Sequence, residues 1–579
     1  MKPEMIAVRA VNQYRRRDIL AYLGLRYYLE NQCALSDLWA REVSIHLVNT
    51  RSSPVYFGTY HFKKAGEDNS SIEYRKIHLP GPNEILAETT LLNECSKEPA
   101  FRSIPCVYSY LFAEPNNRDG VFRHYFRGFQ ERHITIGEAC EKQSSAVVRY
   151  TDIQKFYPSI SRRLAFDAWT KACDSSNIGS VYRNLGECLI EEHFKVSQER
   201  NEGSGILTGP MFSHLIANLV LSEIDKQMLE KMKGNYWRYV DDMVLVGDAN
   251  QVKEGRQYLN DLLNRLDLSL HEGDKDFVVN SNEWLEGVGD FDNSDSMIWI
   301  SLIGNIKRFL VVNSEKRSAL VAAFLENGIS IPLLDYSTAV EEATFLEKLG
   351  DWIRKYRWAP KAIRTLTVQE LIDDALKARE IYENEMNLLL NKSHDVKGYE
   401  RKRLIPKLRF YAGRLNFLSI PDTLMSISSR LSNYPELYWQ AKVMEVIQSQ
   451  DISNLLKLGT NAVQAAAQIL RLQNNTVSCS LDSFGEVELQ GLAILRLNGI
   501  RIEFSNNAIA NTIVDPLNEF ALGLSSKELM KSNDLFVKEM ACLRGIDQPL
   551  KHTSFLDNAF DRDELLTFDI ISQIDTTYF

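Results

Sequence analysis

Three aspartates occupy positions from which a chain could hold cations. "NYWRYVDDMVLVGD", residues 235 to 248, sets Asp241 and Asp242 between two runs of strand-forming residues. The bland reading is a hairpin turn, where Asp is common, between flanks of aromatic and branched composition. Yet Tyr-Val-Asp-Asp is expected by chance in only on the order of a few in a thousand chains of this length. Upstream, "VVRYTDIQKFYPSI", residues 147 to 160, puts Asp152 at the end of an apolar strand, followed by Phe156 and Tyr157. Phosphoryl transfer by two divalent cations needs carboxylates on rigid, neighbouring backbone. One aspartate at a strand end and another at an adjacent hairpin turn meet that need. Because successive strand side chains face opposite ways, Asp152 and Asp241 are the expected principal ligands, with Asp242 peripheral. For Asp152 alone, a cap or turn before "PSIS" is the competing reading.

Between these segments lies "GSGILTGPMFSHLIANLVLSEID", residues 203 to 225. Gly205 and Gly209 permit close backbone approach, and Pro210 suits the first turn of the helix that follows. A glycine-rich helix start is, by itself, more often plain packing.

The elements around these residues are of two kinds. From about 100 to 300, strand-like "SAVVRYTDI" and "YWRYVDDMVLVGD" alternate with helical "SRRLAFDAWTKA" and "HLIANLVLSEIDKQMLEKM", an α+β pattern. The first hundred residues mix helix-like stretches with an extended region near "SPVYFGTYHF". Beyond 300, "STAVEEATFLEKLGDWIRKY", "TVQELIDDALKAREIYENEMNLLL", "PDTLMSISSRLS", "ELYWQAKVMEVIQSQ" and "AVQAAAQILRL" carry apolar residues at helical spacing. They predict an all-α region, HEAT-like or an irregular solenoid. The resulting division is 1–300 and 301–579.

The order strand-Asp with aromatics, glycine loop with helix, then YVDD hairpin resembles motifs A, B and C of reverse transcriptases. "LSLHEGDKDFVV" resembles motif D, with Lys275 in its lysine position, and "NEWLEGVG" reads as the following strand-turn. The resemblance covers roughly residues 100 to 300 and implies fingers and a palm within 1–300. It implies Mg²⁺, or Mn²⁺, held by Asp152, Ile153, Asp241 and Asp242, with Lys275 as charge stabiliser or general acid. Tyr157 matches a steric gate, and Phe156, Thr208, Gly209 and Tyr239 complete the nucleotide-binding set. Thr208 and His214 stand where many template-copying members carry glutamine and proline. In this the chain looks like the bacterial abortive-infection and defence-associated reverse transcriptases, which carry a large helical C-terminal domain. Some of these add nucleotides without a template, starting from a protein tyrosine. Tyr578 is one candidate primer; Tyr14, Tyr56 and Tyr60 are others.

Two basic-aromatic stretches are candidate nucleic-acid surfaces. "KGYERKRLIPKLRFYAGR", residues 397 to 414, holds seven basic residues against one acidic, among them Arg401, Lys402, Arg403, Lys407 and Arg409. The alternative is the solvated face of an amphipathic helix. "FRHYFRGFQERH", residues 122 to 133, offers Arg123, Arg127 and Arg132 as triphosphate or strand contacts.

Composition bounds the rest. The 579 residues are 44% hydrophobic and 25% charged, a globular balance. A net charge of −10 does not suit a protein that coats long nucleic acid, so any such surface is local. Eight scattered cysteines without a C-x-x-C pair indicate neither zinc nor a disulfide framework. No membrane span or secretory leader is apparent, so a cytoplasmic protein is expected. The expected partners are dNTPs, a DNA product, an RNA template or non-coding RNA, and further copies of the chain. Two alternatives stand beside a defence polymerase: an RNA-templated retroelement enzyme, and a catalytically idle nucleic-acid-binding or assembly module.

Overall fold

The computed structural model describes residues 6, 9–10, 13–14, 56–66, 71–114, 120–123, 125–143, 145–199, 205–288, 294–331, 333, 365–391, 396–473, 476–497 and 500–506. Tyr578 and the helix expected at "STAVEEATFLEKLGDWIRKY" lie outside them.

The first described strands form an antiparallel hairpin, β1 (Tyr56–Ala65) and β2 (Ile72–Pro80). Helix α1 (Pro82–Cys95) opens on a proline, whose missing N–H is not needed there. Helix α2 (Tyr125–Lys142) leads into β3 (Val147–Asp152). Then come the single turn α3 (Phe156–Ser159), α4 (Arg162–Asp174), α5 (Ser180–Glu199) and α6 (Met211–Lys231). Ser161 starts α4 by accepting the Leu164 N–H at 3.3 Å. The hairpin β4 (Tyr236–Tyr239) and β5 (Asp242–Gly247) precedes α7 (Ala249–Asn264), β6 (Phe277–Asn280) and α8 (Ser281–Val288).

These last four strands form one antiparallel sheet in the order β4-β5-β3-β6. Strand alternation sorts its two faces. Val148, Tyr150, Val244 and Val246 pack with α2, α8 and Tyr399, while Met243 and Leu245 join the large core with α6 and α7. Helix α6 is buried on every side from Met211 to Asn218, where its polar Ser213, His214 and Asn218 each find a hydrogen-bond partner. Of "NEWLEGVG", expected as a strand-turn, Asn282 to Val288 belong to helix α8. Trp284, Leu285 and Val288 lie at helical spacing and pack with Ile136 and Cys140 of α2.

Beyond lie α9 (Ser294–Val312), α10 (Arg317–Glu326), α11 (Val368–Leu390) and α12 (Gly398–Leu418). They continue through α13 (Pro421–Leu431), α14 (Tyr438–Ser449), the short α15 (Ser453–Leu456) and α16 (Thr460–Gln473). A capping box between Thr367 and Glu370 opens α11. The region is not wholly helical: β7 (Thr476–Cys479) and β8 (Arg501–Phe504) pair in parallel around α17 (Glu486–Leu497). Both strands are too short for periodicity to mark, although Val477, Cys479 and Ile502 are buried.

The division expected at residue 300 falls inside α9, and one hydrophobic core runs through both parts. The β1 strand is held from the C-terminal side. Thr59 and Thr460 share a hydroxyl hydrogen bond of 2.8 Å, Gln490 donates to the Gly58 carbonyl at 2.6 Å, and Tyr60 donates to Glu486 at 2.6 Å. Gly459 has φ +88°, and a Cβ there would lie 2.1 Å from the Tyr60 carbonyl oxygen. Gly459→Ala is therefore expected to lower unfolding free energy by about 1–3 kcal/mol, read from the urea midpoint.

Candidate metal centre

The hairpin turn that carries Asp241 is strained. Tyr239 pairs with Asp242, leaving Val240 and Asp241 as the two-residue loop. Val240 has φ 57°, a conformation that a β-branched residue rarely adopts. Ser109 Oγ accepts the Val240 N–H at 2.7 Å, and Arg238 Nη1 donates to the Val240 carbonyl at 2.9 Å. Arg238 is itself clamped: Nε lies 2.8 Å from Asp225 Oδ1, Nη2 2.7 Å from Oδ2, and Nη1 3.1 Å from Asn218 Oδ1. Asn218 Nδ2 donates to the Ser109 carbonyl at 3.2 Å, and the Tyr236 hydroxyl to Asp225 at 3.0 Å. The Arg238 and Asp225 side chains are 0% and 1% exposed, so this is a closed, dry network joining α6 to the hairpin.

Sequence reasoning missed that network. Two signs were available: an arginine inside the apolar run "YWRYV", which a buried strand tolerates only with an acid partner, and Asn218 and Asp225 two turns apart on one helix face.

Asp152, Asp241 and Asp242 each offer an oxygen within 4.8 Å of the others. Asp152 and Asp242 are direct cross-strand partners. Asp241 sits in the turn, between the end of β4 and the start of β5, where strand alternation does not apply, so Asp242, expected at the periphery, joins the same cluster. The Ile153 N–H donates to the Asp241 carbonyl at 3.2 Å, and His271 N–H to the Asp152 carbonyl at 2.7 Å. Burial, then the charges of Asp242 and Asp152, push the Asp241 carboxyl up to about 8. Lys275 Nζ donates to Asp152 Oδ2 at 2.6 Å, while Asp152 Oδ1 is buried without a partner. Lys402 Nζ stands 3.7 Å from Asp242 Oδ1. Desolvation holds the Lys402 ammonium below its ordinary value, against the pull of Asp242; neighbouring Arg132 adds to the lowering. A carboxyl pushed upward by the acids beside it, an orphaned carboxylate oxygen and all-oxygen donors suit hard divalent cations.

The other expected site residues divide. Phe156 is buried in the core, and Tyr157, half-buried, has its hydroxyl against His214 Nδ1. The His214 ring stacks on Tyr110, centroids 3.6 Å apart. The Thr208 carbonyl accepts the His78 N–H at 2.7 Å. Gly209 has φ +127°, and a Cβ there would fall 2.3 Å from the His78 carbonyl oxygen, so β2 is pinned against the glycine loop. Tyr239 is buried, donating to the Tyr125 carbonyl at 2.9 Å.

Arg123 is exposed, and Arg127 is exposed beside Glu131 at 3.1 Å. Arg132 is fully buried, 5.1 Å from the Phe129 ring and 5.4 Å from that of Tyr239, with Nη1 3.5 Å from the Asp242 carbonyl. Of the 397 to 414 stretch, Arg401 is engaged with both oxygens of Glu436 at 3.0 and 2.8 Å, and Arg403 with the Glu286 carbonyl at 3.3 Å. Lys407 and Arg409 are half-buried. Tyr14 and Tyr56 are buried, and Tyr14 donates to Glu88 at 2.9 Å. Glu88 also accepts the Met211 N–H at 3.2 Å, capping α6.

No family model matches the chain, and no curated protein does. Among solved structures, a telomerase from Candida albicans in complex with a TWJ fragment of telomeric RNA aligns with 12% identity and a TM-score of 0.28. That alignment covers 72% of this chain and 69% of the other. Among the described residues, no helix is long and apolar enough to cross a membrane.

Two outcomes follow from this geometry. Asp225→Ala strands the buried Arg238 charge and is expected to cost about 3–5 kcal/mol in chemical denaturation. For Asp241 the folded carboxyl at about 8 stands above its ordinary 3.8. Without metal, its contribution to stability is thus full below about pH 4, declines as pH rises and is lost above about 8. In EDTA, Asp241→Asn should flatten that part of the stability profile, read from urea midpoints between pH 4 and 8.

Proposed function

We propose that this chain is a metal-dependent nucleotidyltransferase of reverse-transcriptase type that adds dNTPs to a growing DNA strand. One observation carries the reading: three carboxylates from a strand end and a strained, clamped hairpin converge within 4.8 Å. Such crowding of acids, with Asp152 buried and Asp241 and Asp242 half-buried, is unfavourable without positive charge beside it. Asp152, Asp241 and Asp242, with the adjoining Ile153 backbone, would hold Mg²⁺ or Mn²⁺, which supplies charge neutralisation for phosphoryl transfer.

The protein's own contribution is placement. Lys275 shares Asp152 and so keeps an ammonium at the edge of the centre. Tyr157, with its hydroxyl against His214, holds its ring at a fixed place just after β3, where a sugar 2′-hydroxyl would be crowded. The glycine loop, pinned by β2, would support the base. The sequence resemblance extends the proposal to bacterial antiviral defence in the cytoplasm, as a homo-oligomer, with untemplated synthesis from a tyrosine as one form. Tyr14 and Tyr56 are too buried to prime without local opening.

Incubating the purified chain with Mg²⁺ and each dNTP, with and without added RNA, tests this. Incorporation without RNA selects untemplated synthesis, and RNA dependence selects copying. Absence of both favours the idle binding module. Asp241→Asn is expected to reduce incorporation by roughly 10³-fold or more with the fold retained; wild-type incorporation by that variant would overturn the assignment.

A further inference from the structure

Helix α12 sends one lysine into the carboxylate centre from the C-terminal region. Its first turn is anchored: the Tyr399 ring stacks on Trp284 with centroids 5.0 Å apart, and its hydroxyl donates to the Trp284 carbonyl at 3.3 Å. Arg401 and Arg403, on either side, are engaged by Glu436 and by the Glu286 carbonyl. Lys402 between them points at the site. Its Nζ lies 3.2 Å from the Tyr150 ring centroid and 3.7 Å from Asp242 Oδ1. Tyr150 is a firm floor, stacked on Phe277 with centroids 5.0 Å apart and planes 4° apart. The side chain is still 40% exposed, so its four-carbon stem has room to turn.

Three carboxylates thus meet three resident cations: Lys275 on Asp152, Lys402 on Asp242, and buried Arg132 beside the Asp242 carbonyl. Arg132 cannot leave, being enclosed with Nε and Nη2 lacking hydrogen-bond partners. Lys402 can. A divalent cation using Asp242 would stand within a few ångströms of the ammonium, a repulsion not offset in a partly dry site. Once displaced, the ammonium stays beside the centre, and the anions arriving there are phosphates.

Resting on the metal-centre reading above, we propose that Lys402 is an exchangeable counter-ion. It neutralises Asp242 when no metal is bound and, once metal displaces it, contacts a phosphate of the nucleotide or of the nucleic-acid strand. This makes the C-terminal region a contributor to the active site through one side chain.

The two halves have opposite signs, which a merely structural lysine would not produce. In the full chain, Lys402→Met keeps the stem and removes the charge. Free Mn²⁺ followed by electron paramagnetic resonance should show binding tightened by about threefold to tenfold, the range for loss of one partly screened like charge; Lys402→Arg should bind Mn²⁺ as the wild type does. With Ca²⁺ present, binding of a dNTP and of a short DNA oligonucleotide is measured separately. The Met variant should weaken one of them by a similar factor, identifying the phosphate source, and the Arg variant should restore it. Unchanged or weaker Mn²⁺ binding by Lys402→Met, or no loss for either phosphate ligand, overturns the exchange. Asp241→Asn is the control: if it binds Mn²⁺ like the wild type, the metal-centre reading itself fails. If it loses Mn²⁺ while Lys402→Met changes nothing, only the lysine inference falls.

Discussion

A buried arginine is costly to desolvate, and Arg238 is fully buried in a strand. It is retained because Asp225 meets it with two oxygens while Asn218 and the Val240 carbonyl take up the remaining direction of Nη1. A pair of this kind is weak evidence for stability, since apolar residues of similar volume often do as well. Its value here is geometric. Asp225 and Asn218 lie on α6, and Arg238 lies one residue before the end of β4. The helix and the turn therefore cannot shift separately without stranding a charge. Left-handed backbone at Val240 costs on the order of 1–3 kcal/mol, and the penalty for stranding a buried charge is larger. The strained turn persists because every relaxation of it also pulls on Arg238.

That rigidity makes the carboxylate crowding possible. In a freely jointed loop Asp241 would turn toward water, and repulsion from Asp152 and Asp242 would be relieved. Held by the hairpin and by the Ile153 amide on its carbonyl, it stays among them, and burial and their charges push its carboxyl up to about 8. Lys275 and Lys402 supply compensating charge to Asp152 and Asp242. The two ammonium groups sit on partly exposed side chains, whereas Arg238 and its Asp225 partner are enclosed. The same chain thus sets its acids in two surroundings of opposite character. One is closed on all sides by fixed hydrogen bonds, and the other keeps a buried carboxylate oxygen without a partner.

Much of this was legible in the sequence, for reasons that also explain where it stopped. The strand before Asp152, the hairpin and the long buried helix all followed from local periodicity and turn chemistry. Strand alternation does not hold in the turn at Asp241, so it could not rank Asp242 below its neighbours in the cluster. Within 397 to 414, local composition could not separate Lys402 from Arg401 and Arg403. Glu436 and the Glu286 carbonyl, which occupy the two arginines, come from other parts of the chain. The short parallel pair β7 and β8 escaped for the same reason, since each strand is defined by a partner some distance along the chain.

The two parts of the chain also act on the site through the glycine loop. The loop's position depends on β2, through the Thr208 carbonyl and the close approach at Gly209. Strand β2 is paired along its length with β1, and β1 is gripped by Thr460, Gln490 and the backbone at Gly459. A displacement of the C-terminal helices would be transmitted through two paired strands to the loop beside α6, while α12 would carry Lys402 with it. The described C-terminal region therefore buttresses one edge of the candidate site and supplies a charge to another. Its packing belongs to the construction of the centre rather than to an independent module.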